Sequence, residues 1–237
     1  MARMKEPSPG KCGLCQGTFD KSEMTKHLKK CLAERGAAAA AGAGGAKPAR
    51  LLHLLVEGLH SPQYWMHLEV PAKARLLDLD GFLRDTWLEC CGHMSAFRIG
   101  KVQYQVEADP EFEARSMKVA LGEVLAPGAK FGHEYDFGTT THLALKVVAE
   151  REGPAAGKGP KAVRVLARNE PPKISCACGQ PATQVCGQCI CDDSGWLCEK
   201  CVADHECGEE MCLPVVNSPR VGQCGYTGPA RGWVKNS

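Results

Sequence analysis

Nine cysteines and one histidine lie between Cys176 and Cys212, spaced C-x-C-x7-C-x2-C-x-C-x6-C-x2-C-x3-H-x-C-x4-C. Thiolate sulfur and imidazole nitrogen are the ligands that zinc(II) takes tetrahedrally, and a tight turn that sets two of them three residues apart presents half a site. Cys186/Cys189 and Cys198/Cys201 have that form; Cys176/Cys178 precede them and His205/Cys207 follow. Four pairs supply two ions. Paired alternately, Cys176, Cys178, Cys198 and Cys201 share one ion while Cys186, Cys189, His205 and Cys207 share the other. Sequential pairing is the alternative, and spacing alone leaves both open. Cys191, Cys212 and Cys224 remain over, and each could replace an assigned ligand, Cys212 most readily in place of Cys207. The competing chemistry is a disulfide scaffold or a set of reactive thiols. It is disfavoured because the leading MARMKEPSPGKCG carries no apolar core of a secretion signal, and a reducing cytosol opposes disulfides.

A smaller ligand set stands near the N-terminus: Cys12-x2-Cys15, eleven residues, then His27-x3-Cys31. This is the spacing of a C2HC zinc finger, and a His and a Cys four apart sit on one helix face. Phe19 and Met24 fall where such a finger needs apolar packing, and Asp20 with Glu23 suits the start of a helix through His27 and Cys31. The expected cofactor is therefore Zn(2+), about three ions per chain. In so apolar-poor a segment as 171–212 the metal must supply most of the folding energy, about 10–16 kcal/mol of apparent binding free energy per structural zinc.

The 237 residues carry a net charge of +2, but unevenly. Residues 1–50 hold ten Lys/Arg against four Asp/Glu, residues 51–170 fourteen against sixteen, and residues 171–237 five against seven. Phosphate binding needs clustered cations, so nucleic acid would be met through residues 1–35, with Lys21, Lys26, Lys29 and Lys30 facing it. A lone finger reads little DNA, since such fingers work in tandem, and a protein partner is the first expectation. No run approaches the ~18 apolar residues of a spanning helix, so no membrane is expected and the reading is cytoplasmic.

These ligands need elements to hold them. AERGAAAAAGAGGAKPAR, from Ala33 to Arg50, has almost nothing to bury and reads as a tether in which the Ala run briefly extends a helix before Gly42–Gly45 and Pro48 end it. Beyond it, Tyr64, Met66, Leu68 and Val70 alternate with Trp65, His67 and Glu69, and Leu143, Leu145 and Val147 recur likewise, the period of strands. Further strands are predicted at 51–56, 96–99, 102–106, 131–137 and 162–167, with the Gly/Pro stretch 153–160 joining two of them. Leu76, Leu79, Leu83 and Trp87 share one helical stripe, and a short helix is predicted around 117–125. The pattern predicts an α+β fold, a mostly antiparallel sheet with one main amphipathic helix, flanked by two small zinc-organised modules. The predicted divisions are 1–35 (finger), 36–49 (Ala/Gly-rich linker), 50–170 (α+β domain), 171–212 (two-zinc module) and 213–237 (extended tail).

Ser61-Pro-Gln-Tyr-Trp-Met-His-Leu-Glu-Val-Pro71, the stripe from Leu76 to Trp87, His93-Met-Ser-Ala-Phe97, and Phe131-Gly-His-Glu-Tyr-Asp-Phe-Gly138 with His142 resemble the Ri-plasmid open-reading-frame-three family of insertion-element passenger proteins. The resemblance covers roughly residues 50–150. Thr139, Thr141 and Met66 depart from it. The tail Leu213–Gly228 resembles the ending of family members with a cysteine-rich extension. The resemblance implies an α+β domain and, through the family's mobile-element association, nucleic-acid binding as the alternative function; the family is largely uncharacterised.

If Gly138, Thr139 and Thr140 form a three-residue hairpin loop, Asp136 lies across from His142 on one sheet face. That pair is the weak catalytic candidate, against a structural cross-strand hydrogen bond. Cys90-Cys91, at the end of the apolar helix, reads as buried packing, and His53, His60, His67 and His93 have no spacing that gathers them. The sequence has no phosphate-cradling glycine loop, nucleophile elbow or HExxH helix, and so gives no support for enzymatic activity. It predicts a zinc-binding interaction protein, an adaptor, with no small-molecule substrate.

Overall fold

A computed structural model describes residues 8–42, 48–108, 111, 113–154, 157–192 and 194–229. The expected positions 43–47 of the linker and 230–237 of the tail lie outside the described residues.

The described chain begins with β1 (Pro9–Cys12), β2 (Thr18–Asp20) and α1 (Lys21–Gly42), which runs through the Ala stretch and ends at Gly42. The centre comprises β3 (Pro48–Gly58), β4 (Trp65–Pro71), α2 (Leu76–Leu83), β5 (Ser95–Ile99), β6 (Val102–Gln105), β7 (Arg115–Ser116), α3 (Leu121–Val124), β8 (Lys130–Tyr135), β9 (Thr141–Pro154) and β10 (Arg164–Asn169). The C-terminal region adds β11 (Gln184–Cys186), β12 (Trp196–Leu197), α4 (Glu199–Ala203) and β13 (Cys212–Pro214). Ten strands form one sheet in the order β2-β1-β10-β4-β3-β9-β8-β5-β6-β7, antiparallel throughout except where β7 runs parallel to β6. A second sheet has the order β12-β11-β13.

The α+β expectation is overturned: the described chain is mostly β, and no single amphipathic helix dominates it. Two causes act together. The stripe from Leu76 to Trp87 does not make one long helix, because after Leu83 the chain widens into a π turn over Arg84–Leu88, closed by the Glu89 N–H donating to the Arg84 carbonyl at 2.8 Å. That wider turn buries Thr86, Trp87 and Leu88 together. Meanwhile the finger contributes strands as well as ligands. β1 pairs with β10, Gly10 opposite Asn169 and Cys12 opposite Ala167, so the sheet grows by two strands at that edge.

The two-residue alternation of β4 explains the core. Tyr64, Met66, Leu68 and Val70 pack with Leu52, Leu54, Val56, Leu79, Phe82 and Trp87 on one face. On the other, Trp65 is buried with Leu166, Ala167 and the finger residues Met24, Leu28, Cys31 and Leu32. Every residue of β4 is buried, because α2 covers one side and α1 the other. Gly10 is required there: a Cβ would lie 2.4 Å from the Trp65 ring and 2.5 Å from the Arg168 carbonyl oxygen. His67 sits under the finger, its Nδ1 2.8 Å from His53 Nε2 and its Nε2 3.4 Å from Thr25 Oγ1. Burial, together with the charge of Arg151, lowers His53 to about 4; burial, with His53 and Lys21, lowers His67 to about 3, so both rings are neutral at pH 7.

Candidate metal centres

Among the described residues, four quartets of Cys and His have their ligand atoms within 4.8 Å of one another. Around one zinc, tetrahedral bonds of ~2.3 Å to sulfur and ~2.0 Å to nitrogen imply S···S spacings of about 3.8 Å and S···N spacings of about 3.5 Å. The separations below match those values, and all fifteen cysteines are free thiols.

In the finger, Cys12 closes β1 and accepts the Gln16 N–H at its carbonyl, while its own N–H reaches the Gly17 carbonyl at 2.9 Å. This loop, with Gln16 at φ +64, turns Cys15 back toward the helix. Cys15 Sγ stands 3.3 Å from His27 Nε2, and Phe19 stacks on the His27 ring with centroids 3.9 Å apart. Cys31, one helical turn on, completes the set; burial and the Cys12 and Cys15 sulfurs push its thiol up to about 11.

In the C-terminal region the alternate pairing is the one that forms: Cys176, Cys178, Cys198 and Cys201 gather in one place and Cys186, Cys189, His205 and Cys207 in another. Cys178 and Cys198 sulfurs are 3.6 Å apart, as are Cys189 and Cys207, and His205 Nε2 is 3.6 Å from Cys189 Sγ. Local turns supply each pair. Gly179 at φ +83 donates to the Cys176 carbonyl, and Cys198 stands at the N-terminus of α4, which brings Cys201 round. The small sheet carries Cys186 on its central strand.

The electrostatics of these sites are compatible with a cation at their centres. Backbone N–H groups of Cys178 and Cys198 lower the Cys176 thiol to about 6; burial raises Cys186, but the N–H groups of Cys189 and Gln188 and the His205 ring outweigh it and bring that thiol also to about 6. Their neighbours are driven the other way, Cys189 to about 12 by Cys207 and Cys186, and Cys201 to about 12 by Cys176, Cys178 and Cys198. Like charges this close cannot all ionise alone, whereas a divalent ion at the centre favours the thiolate at every position. The donor set fits a soft-ligand tetrahedral ion.

Of the substitute candidates Cys191 stands aside, whereas Cys212 remains beside the second C-terminal quartet, where burial and the neighbouring Cys186 and Cys207 push its thiol up. Cys191 is exposed on a short 3-10 turn, and Cys212, opposite Cys186 in β13, directs its thiol to the Gly208 carbonyl at 3.7 Å.

The fourth quartet went unread. Cys90, Cys91 and His93 meet Cys224 of the tail, and Cys90-Cys91 is not buried packing: Cys90 is half-buried and Cys91 exposed. Sequence spacing had no means of joining residues more than 130 positions apart. The one available signal was the odd thiol in Gly222-Gln-Cys-Gly225, unclaimed by any local pair.

The weak catalytic pair is separated. Tyr135 pairs with Thr141 and Glu134 with His142, so the loop spans five residues and Asp136 is not across from His142. The reason is local: Asp136 adopts φ +64 and its Oδ1 accepts the N–H groups of Gly138 and Thr139, which begins the turn two residues early. Asp136 Oδ2 instead binds Arg220 Nη2 at 2.6 Å; His142 faces Glu134 at 3.9 Å. His133 is buried against Asp80, 2.8 Å away in α2.

The tail packs over the central sheet. Arg220, fully buried, also donates to the Thr139 carbonyl and Thr141 Oγ1 and lies over the Tyr135 ring, while Ser218 Oγ donates to the Trp87 carbonyl at 2.6 Å. Among the described residues no helix is long and apolar enough to cross a membrane.

No protein-family model matches the chain, and no curated protein matches it. Among solved structures, the chain is similar to MM3350 of Methanosarcina mazei Go1, a protein of unknown function, at 19% identity and a TM-score of 0.41. The match covers 46% of this chain and 65% of that one.

Proposed function

We propose that this chain is a zinc-binding interaction protein of a reducing compartment, the cytoplasm, in which about three zinc ions build two surface modules for protein partners around a rigid β scaffold. The observation that carries the reading is that the three quartets expected from spacing each bring four ligand atoms within 4.8 Å. Their soft donors and close sulfur packing support zinc over harder ions. The central domain, of the Ri-plasmid open-reading-frame-three kind in this reading, acts as scaffold.

Elemental mass spectrometry on protein purified under reducing conditions tests the metal. C12S, C186S and C198S should each lose one zinc, the latter two with loss of protease resistance in residues 174–212; a fully loaded, resistant variant refutes the ligand assignment. In-cell crosslinking tests the adaptor role: a protein partner recovered with the parent chain should be lost with C186S.

A second reading, nucleic-acid binding, is favoured by the exposure of Lys26, Lys29 and Lys30 on α1. Lys21 is withdrawn from that set by its ion pair with Glu57. Three phosphate contacts imply a slope of roughly −2.7 in log K against log salt on duplex DNA. K26A/K29A/K30A should abolish it, and no binding at low salt ends this reading.

A further inference from the structure

We propose that Cys90, Cys91, His93 and Cys224 form a fourth zinc site, a clasp that fastens the C-terminal segment to the end of the ten-stranded sheet. The proposal rests on the reading of this chain as a zinc protein and adds a site that no sequence spacing suggested. His93 Nε2 lies 3.0 Å from Cys91 Sγ and 3.2 Å from Cys224 Sγ. Cys90 and Cys91 sulfurs are 3.6 Å apart, and Cys91 and Cys224 sulfurs 3.9 Å. The sulfur–sulfur spacings are those of ligands around one tetrahedral ion and the sulfur–nitrogen spacings are tighter than the roughly 3.5 Å of such a site, while the donor set, three thiols and an imidazole, is the same as in the finger and the second C-terminal quartet.

The backbone on both sides is bent to reach this point. Gly92 takes φ +83, a conformation for glycine, and its N–H is held by Glu89 Oε1 at 2.6 Å, so the chain doubles back and His93 returns over Cys91. Cys224 itself adopts φ +44 between Gly222 and Gly225, also left-handed. A non-glycine residue is held there only when its surroundings fix it, and such strain collects at ligand sites. Beneath the ligands lies Arg220, whose Nη2 is 3.4 Å from Cys90 Sγ and 2.6 Å from Asp136 Oδ2. It positions both segments and keeps Asp136, 3.5 Å from His93 Nε2, engaged as an acceptor outside the ligand set. Gln223 is tied to the sheet by the Thr141 hydroxyl at 2.9 Å.

The site differs from the other three in access. Each of those has at least one buried sulfur, whereas here Cys91 and Cys224 are exposed and Cys90 and His93 half-buried. The ion in the clasp is the one a chelator reaches first, and its removal frees the tail. A disulfide between Cys91 and Cys224 is the rival: it needs the sulfurs to close to about 2.0 Å and gives His93 no part.

Native and elemental mass spectrometry of the full chain, purified with zinc under reducing conditions, decides between them. The expected result is four zinc ions in the parent chain, three in C224S and three in C91S, with C191S and C212S keeping four. C91S alters an exposed side chain and guards against a folding defect in C224S. Hydrogen exchange should rise over residues 214–226 in both ligand variants while 176–207 keeps its protection. Three zinc ions in the parent chain, unchanged in C224S and C91S, overturn the clasp and leave the proposed function standing. So does a parent mass two hydrogens light that reductant restores. A folded chain without zinc overturns both.

Discussion

Arg220→Met removes the buried cation of the tail, the only one among its described residues, and leaves its partners behind. The guanidinium is fully buried and the Asp136 side chain is 6% exposed, so water cannot replace the lost contact without the tail lifting. Burial alone would raise Asp136, but Arg220 and the N–H groups of Thr139 and Gly138 outweigh it and hold the carboxyl below its ordinary value. Without Arg220 the carboxylate keeps the two N–H bonds, and the Thr139 carbonyl and Thr141 hydroxyl lose their donor. Breaking one side of a buried pair costs about 3–5 kcal/mol. The cost falls on tail docking, since Ser218, Arg220 and Gln223 are the residues that tie residues 214–226 to Trp87, Asp136 and Thr141.

In R220M, hydrogen exchange over 214–226, read by mass spectrometry with zinc present, should therefore quicken by about a hundredfold or more, a tenfold change corresponding to 1.4 kcal/mol. D136N should quicken it less, because an amide leaves no buried charge, though Arg220 remains unpaired. The double variant should exchange more slowly than the sum of the two predicts, because it removes the charge mismatch altogether. Exchange in R220M within threefold of the parent chain, or strict additivity, would refute a tail anchored by this pair.

Other consequences are as direct. G10V should destabilise the finger against the sheet by about 1–3 kcal/mol, as overpacking does, because its Cβ meets Trp65 and the Arg168 carbonyl; protease sensitivity of residues 8–34 reads it. His53 and His67, lowered to about 4 and about 3, stay neutral when folded but take up protons below about pH 6.5 when unfolded. Their contribution is present above pH 6.5 and falls as pH drops toward 4, by about 2 kcal/mol each between pH 7 and pH 5. H67Q should flatten urea-denaturation stability against pH by that amount, and a parallel profile would exclude the pair. Stepwise chelation should uncover residues 214–226 to protease before 176–207, and the reverse order would contradict the difference in ligand exposure.

The strands were legible wherever a period of two met a single buried face, as in Leu143, Leu145 and Val147 of β9. What escaped were strands of two to four residues, β1, β2, β7 and β11–β13, which have too few side chains to show a period and exist through pairing with distant partners. β1 looked like part of a zinc knuckle; its Cys12 does stand in a Cys/His quartet, and the strand also pairs with β10 and so extends the large sheet. The helix was overextended for a related reason. A stripe at Leu76, Leu79, Leu83 and Trp87 fits a helix, yet the π turn that buries Thr86 and Leu88 beside Trp87 answers to the core around it.

Ligand pairs within four residues of one another are set by a local turn, so spacing finds them; which pairs then share a site depends on how the turns are folded together. In the C-terminal region the three-stranded sheet does that by putting Cys186 at its centre and letting α4 carry Cys201 away toward Cys176 and Cys178. The fourth quartet takes this separation of local and long-range causes to its limit. Its Cys90/Cys91/His93 half is local, but nothing in those residues announces the other half, because Cys224 is brought there by a buried arginine four residues earlier in the tail, which pairs with an aspartate 84 residues before it. The metal would then close a contact that the protein has already made.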